Sequence, residues 1–256
     1  MILKILVFFM KYTPQPAAPS HPTPVRTSAV KPTVKPKGSA NRQLPGEVRI
    51  IGGIYKRSKI AIATSSSSSN GKGIASLRPT PDRVRETLFN WLGQDLSGWH
   101  CADVFAGTGV LGFEAASRGA ALVWLTEQDA LLVDKLKAVQ TRLATTTVRI
   151  ERGDGVSALR RTTPGSLNLV FLDPPYDAPA SVLPAALKAA AMAIVPTGLV
   201  YLEAPAFWDD AALAPLGLKV LRSGKAGNVH FHLLNAAVVS AESAIAAPAD
   251  PLVQQP

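Results

Sequence analysis

The sequence predicts an α/β fold: a mostly parallel sheet of seven strands, covered by helices and ending in an antiparallel hairpin. Three observations carry this. Apolar, strand-length runs alternate with helical stretches from Cys101 onward, the pattern of a parallel sheet buried on both faces. The first of these strands runs into a glycine loop that opens a helix. The last two strands follow one another with no room for a helix between them.

Taken in order, residues 1–45 read as a disordered, basic, Pro-rich tail. Residues 11–45 are rich in Pro, Ser, Thr and Lys without a single acid, and such a segment cannot offset its ordering entropy by burial. The apolar start Ile5–Met10 is bracketed by Lys4 and Lys11 and is far shorter than the roughly 20 residues a bilayer span needs. Ala17-Ala18-Pro19 is a poor cleavage site, so the start reads as disordered or as an upstream start codon rather than as an export signal. Residues 46–76 read as an N-terminal arm and a serine-rich loop. Val48–Ile62 alternates weakly around Gly52-Gly53, which suggests a short hairpin or extended arm, and Thr64–Gly73 contains the flexible serine run Ser65–Ser69.

Residues 77–235 form the main domain. Thr80 is placed to cap a helix with Pro81 in its first turn, and Val84, Leu88, Trp91 and Leu92 fall on its core-facing side. Strands are expected at Cys101–Phe105, Leu122–Thr126, Thr147–Glu151, Leu167–Leu172 and Leu199–Glu203, with helices such as Ala130–Leu143 and Ser181–Ala193 between them. Lys219–Arg222 and Val229–Leu234 flank Ser223–Gly227, a hairpin signal. Residues 236–256 read as a flexible C-terminal tail.

Charge is unevenly placed. Residues 1–60 hold 11 Lys and Arg against one acid, Glu47, while the rest of the chain is close to neutral within a net charge of +9. A basic front end on a neutral body suits a polyanionic partner, or a tail that is merely solvated. The single cysteine, Cys101, excludes an intrachain disulfide framework and a multi-cysteine metal site, and fits a reducing, cytoplasmic setting.

Gly107, Gly109 and Gly112 spell G-x-G-x-x-G within Phe105-Ala106-Gly107-Thr108-Gly109 and the helix after it. The first two glycines allow a tight turn and a bare backbone for a ligand, and the third lets helix and strand pack closely. NAD enzymes, flavin enzymes and methyltransferases share this loop. Glu127 ends the next strand 20 residues after Gly107, where an acid can accept from ribose hydroxyls. Asp129 suits either ligand or helix start. Asp154, after the third strand, can accept from an adenine amino group or cap a helix. Asp103, inside the first strand, is costly to bury without a partner and is placed to support the loop or the cofactor.

The fourth strand runs into Asp173-Pro174-Pro175-Tyr176. Two prolines stiffen the segment and leave its carbonyls free, Asp173 adds an acceptor, and Tyr176 adds an aromatic face. This set holds no nucleophile and no metal ligands. It suits a flat substrate bearing an NH2 group, held by Asp173 and the Pro174 carbonyl, with the nitrogen lone pair aimed at a methyl sulfonium and Tyr176 stacked on an unstacked base. S-adenosyl-L-methionine is the cofactor this arrangement asks for.

Arg49-Ile50-Ile51-Gly52-Gly53, Leu77-Arg78-Pro79-Thr80-Pro81-Asp82-Arg83-Val84-Arg85-Glu86, Asp103-Val104-Phe105-Ala106-Gly107-Thr108-Gly109 and Asp173-Pro174-Pro175-Tyr176 occur in this order. Over about Val48–Leu234 this resembles the bacterial small-subunit ribosomal RNA methyltransferase D family. The resemblance implies a Rossmann-like, S-adenosylmethionine-dependent methyltransferase fold. It also implies methylation of the guanine N(2) amine in 16S ribosomal RNA, conventionally at position 966, on the small ribosomal subunit in the cytoplasm. Arg49, Arg57, Arg78, Arg83 and Arg85 are then candidates for phosphate contacts, although Arg83 and Arg85 also read as ordinary solvated helix charge. Neither a metal nor a membrane is expected, and a monomer is the default. The serine-rich loop and both tails depart from the family pattern.

Three other readings stay open at this level. An adenine-N(6) methyltransferase would share tetrad and loop but usually brings a sequence-reading domain. An NAD-dependent oxidoreductase would leave the tetrad unexplained. A non-catalytic RNA-binding assembly factor would explain the basic tail and little else.

Overall fold

The computed structural model describes residues 46–62 and 79–237. The tails, the serine-rich loop and Arg78 lie outside these residues.

The arm forms an antiparallel hairpin of β1 (Glu47–Arg49) and β2 (Lys59–Ala61). Then come α1 (Asp82–Trp91), β3 (His100–Asp103), α2 (Val110–Ser117), β4 (Leu122–Glu127), α3 (Ala130–Leu143), β5 (Val148–Arg152) and α4 (Gly155–Arg161). β6 (Leu167–Leu172), α5 (Val182–Ala193), β7 (Ile194–Ala204), the single turn α6 (Asp210–Leu213), β8 (Leu218–Ala226) and β9 (Val229–Ala236) follow among the described residues. The main sheet has the order β5-β4-β3-β6-β7-β9-β8, parallel through β7 and antiparallel at β9 and β8. The expected fold class is therefore the observed one.

Alternating side chains build a core on each face. Cys101, Leu169, Phe171, Tyr201 and Leu233 meet α1, α2 and the arm's Val48, Ile50 and Ile60 on one side. Ala102, Val170, Val200 and Leu234 meet α4 and α5 on the other. Val84, Leu88 and Leu92 are buried as their helical spacing predicts.

Two local expectations change. Thr80 does not cap α1; Pro81 occupies that position without a side-chain cap bond, and the buried Thr80 hydroxyl turns to the carboxylates of the site instead. The expected loop Ser223–Gly227 is mostly strand, and the reversal falls at Gly227, whose φ is +60°. Gly224 stays in the ladder opposite Phe231 because any β-carbon there would overlap that ring.

The arm is held by a buried polar network. Arg85 in α1 donates to Glu114 in α2 at 2.5 Å, to Asp82 at 2.6 Å, and to the carbonyls of Arg49 and Thr80. The same Glu114 carboxylate accepts from the Ile51 backbone at 2.6 Å. Ser117 receives the Ile54 N–H at its carbonyl and donates its hydroxyl to the Gly52 carbonyl. Gly53, with φ of +71°, lies so close that a β-carbon would overlap the Ser117 carbonyl.

Candidate active site

β3 has β4 on one side and β6 on the other, so chain order reverses there. Ligands of such sheets bind beyond the carboxyl ends at this switch point. The glycine loop leaves β3 there and Asp173–Tyr176 leaves β6, so tertiary structure joins two motifs that lie some 65 residues apart in sequence.

The loop is built by local bonds. Gly107 and Gly109 have φ of +52° and +75°. Ala106 donates to the Thr126 carbonyl, tying the loop to β4. The half-buried Glu127 accepts from the Gly107 N–H at 2.9 Å with one oxygen and from the Asp129 N–H with the other. Each oxygen keeps lone-pair capacity for a further donor. Asp103 accepts the Gly112 N–H at 3.1 Å and so holds the start of α2. Thr108 lies beside Gly107, and Phe105 packs partly into the opposite core. Asp129 caps α3. Asp154 caps α4 through Ser157, and its second oxygen takes the Gln128 amide. The capping alternative is thus realised for both acids.

On the other side of the switch point lies a cavity of about 250 Å³. Pro79, Pro81, Val84, Leu183 and Trp208 supply apolar walls, Asp173 and Glu203 the acceptors, and Tyr176 the rim. This is the composition of a small-molecule site: apolar lining with a few convergent polar groups. Tyr176 is 66% exposed, so its ring is open to a stacking partner. Among the described residues no N–H donates to the Pro174 carbonyl, whereas the Pro175 carbonyl closes a turn with Ala178.

Electrostatics sets this region apart. Burial pushes the Asp103 carboxyl up to about 7. Burial, then the neighbouring Glu203 and Asp103 charges, raises Asp173 well above the ordinary carboxylate range, with a Thr80 hydrogen bond opposing. Glu203 is raised by burial as well, against hydrogen bonds from Thr80 and Tyr201. Among the described residues no Lys or Arg pairs with any of the three. Carboxylates gathered without a counter-ion suit a positively charged guest. S-adenosylmethionine carries a sulfonium, and its ribose suits Glu127, so the residues present fit that cofactor. Its place would be among the glycine loop, Glu127, Asp103 and Asp173.

The family model described as "Conserved hypothetical protein 95" matches residues 48–235. A ribosomal RNA small subunit methyltransferase D of Haemophilus influenzae is 33% identical over 191 residues, 73% of this chain and 93% of the relative. The chain belongs to this family. The Escherichia coli K12 methyltransferase D is 39% identical over 137 residues, 53% of this chain and 64% of its own length, so that match spans somewhat less than two thirds of the relative. The solved Escherichia coli protein yhhF aligns with a TM-score of 0.60 and 29% identity over 75% of this chain and 98% of that one. The fold is the Rossmann-like one of methyltransferases in this family.

The expected RNA-contacting residues separate. Arg57 and Arg83 are exposed, Arg57 in the β1–β2 turn. Arg49 is half-buried and lends its carbonyl to Arg85. Arg85 corrects the expectation: four of its five N–H donors go to Glu114, Asp82 and two carbonyls, and with no exposed surface it is out of reach of a phosphate. Helical spacing sets Arg85 on the face of Leu88 and Leu92, but the partners that let a charge lie there, Glu114 and the arm's Arg49 carbonyl, come from the tertiary structure.

Glu203, Thr80 and Trp208 were missed as site residues by sequence reasoning. Glu203 carried a usable signal, an acid at the end of an apolar strand, costly to bury without a partner as Asp103 is inside its own. Thr80 and Trp208 carried none.

Proposed function

We propose that this protein transfers the methyl group of S-adenosylmethionine to the exocyclic N(2) amine of a guanine in 16S ribosomal RNA, guanine 966 by family resemblance. The small ribosomal subunit is its partner and the bacterial cytoplasm its setting. The observation that carries the reading is the acceptor pair of Asp173 and the Pro174 carbonyl, which receives no backbone N–H among the described residues, in the lining of an apolar cavity at the carboxyl end of β6, next to β3. The names of the relatives, ribosomal RNA small subunit methyltransferases, support the substrate class.

An exocyclic base amine is a weak nucleophile because its lone pair is delocalised into the ring. Asp173 and the Pro174 carbonyl accept one N–H each and favour a pyramidal nitrogen. The prolines hold these acceptors stiffly, which supplies orientation. Tyr176 stacks on the base once it leaves its own stack. The cofactor supplies an activated methyl on a positive sulfur. On methylation the nitrogen would shed one proton, and Asp173 is the acceptor placed to receive it. Its raised proton affinity suits that task. Arg57, Arg78 and Arg83 are the basic residues offered to phosphate in this reading, with Arg49 at most a minor contributor.

The test is methylation of small subunits from a strain lacking the enzyme, with radiolabelled S-adenosylmethionine, followed by nucleoside identification. N(2)-methylguanosine is expected, and Asp173→Ala is expected to lower the rate at least about 100-fold while RNA retention survives. A labelled methyladenosine would overturn the base assignment. Absence of label on subunits, naked RNA and DNA would leave a binding factor.

A further inference from the structure

The cavity holds a second carboxylate that amine capture and proton removal leave unused. Phe171 pairs with Tyr201 and Leu172 with Leu202 across β6 and β7, so Asp173 and Glu203 come next, side by side on strands about 4.8 Å apart. They share the sheet face of Phe171 and Tyr201, and both line the cavity with Pro174, Tyr176 and Trp208. Glu203 is 7% exposed. The Tyr201 hydroxyl donates to its Oε1 at 2.9 Å and so holds the carboxylate in one orientation. Tyr201 and Thr80 donate to it, but no cation pairs with it among the described residues, and a guest that brings a further hydrogen-bond donor would offset the remaining cost of burying it.

Guanine is such a guest. Among the four RNA bases, it alone carries a ring N–H directly beside its exocyclic amine. Adenine and cytosine place a lone pair at the corresponding ring nitrogen. We propose that Glu203 is a specificity-determining residue that reads the target base as guanine, accepting the N1–H while Asp173 and the Pro174 carbonyl hold the amine. This rests on the methylation reading above. Three donors then meet three acceptors, and an adenine or cytosine would instead set its lone pair against a carboxylate. Sites built to bond a donor strongly reject analogues lacking it, because their own buried groups are left unpaired.

The experiment compares guanine with 2-aminopurine at the methylated position, in small subunits reconstituted with 16S ribosomal RNA. Both bases carry the N(2) amine, but 2-aminopurine has a lone pair at N1. Wild-type protein is expected to prefer guanine at least about 100-fold in kcat/KM. Glu203→Gln can turn its amide NH2 toward that lone pair, so its preference is expected to narrow to about tenfold or less. The ratio cancels any general loss of activity. A Tyr201–Glu203 pair with a purely structural role would lower both rates equally and leave the ratio unchanged, which overturns the proposal. A wild-type preference below about threefold overturns it without any variant, so a poorly folding Glu203→Gln does not shelter it. If wild-type product is not N(2)-methylguanosine, the methylation reading itself fails; if it is and the ratio does not move, only the Glu203 assignment fails.

Discussion

Replacing Arg85 by Ala separates a structural from an RNA-binding role. Arg85 and Glu114 are both without exposed side-chain surface, and Arg85 makes bonds of 2.5 Å to Glu114, 2.8 Å to the Arg49 carbonyl, 3.2 Å to the Thr80 carbonyl and 2.6 Å to Asp82. Arg85→Ala leaves the Glu114 carboxylate with the Ile51 N–H and with Arg118, 3.5 Å away, and strands two carbonyls. Breaking a buried pair by removing one partner costs about 3–5 kcal/mol. For a domain of this size that lowers Tm by on the order of 10 °C. The loss is also pH-dependent. Burial already raises Glu114 above the ordinary range, with Arg85 and Arg118 opposing, so removing Arg85 raises it further. An acid whose folded pKa exceeds its unfolded one contributes stability below the unfolded pKa and loses it as pH rises through the folded one. The deficit of Arg85→Ala is therefore expected to be larger at pH 8 than at pH 5.5, in thermal melts of both proteins. The salt dependence of RNA binding by the folded variant should match wild type. A Tm shift under about 2 °C, together with a shallower salt slope, would refute this reasoning and return Arg85 to the RNA surface.

Two further substitutions probe the arm and the site. Gly53→Ala places a β-carbon into the Ser117 carbonyl at a φ of +71°, and is expected to lower stability by at least about 2 kcal/mol in denaturant titration and to open residues 46–62 to protease; an unchanged midpoint would show that the arm can lift freely. Asp103, raised to about 7 by burial, contributes stability below its unfolded pKa and loses it as pH rises through about 7. Asp103→Asn should therefore flatten the wild-type dependence of Tm on pH between about 4 and 7 in the absence of cofactor, and parallel curves would contradict the assignment.

Much of the architecture was legible in one dimension. α3 was expected at Ala130–Leu143 and lies there, because Asp129 caps it and its apolar positions keep helical spacing. β6 was likewise placed at Leu167–Leu172, since a doubly buried strand reads as a continuous apolar run. The glycine loop and Asp173–Tyr176 announce themselves because glycine and proline act on the local backbone, whatever surrounds them. The strand–helix alternation and the terminal hairpin announce a mostly parallel sheet with an antiparallel end, while the order that sets β3 beside β6 belongs to the tertiary structure.

Only the tertiary structure decided what the side chains between these landmarks do. Arg85 carries a charge that suits a surface, yet it stands at helical spacing with Leu88 and Leu92, and the arm covers it and turns it into a buried strut. Thr80 sits where a cap belongs, yet its hydroxyl serves carboxylates that arrive from β6 and β7. Glu203 and Asp173 are 30 residues apart in sequence and adjacent in the sheet, and their shared cavity exists only once β6 and β7 are in register. Local backbone preference and hydrophobic period act over a few residues and so are written in the chain itself. Burial, pairing and proton affinity depend on which distant groups arrive alongside, and these the fold alone supplies.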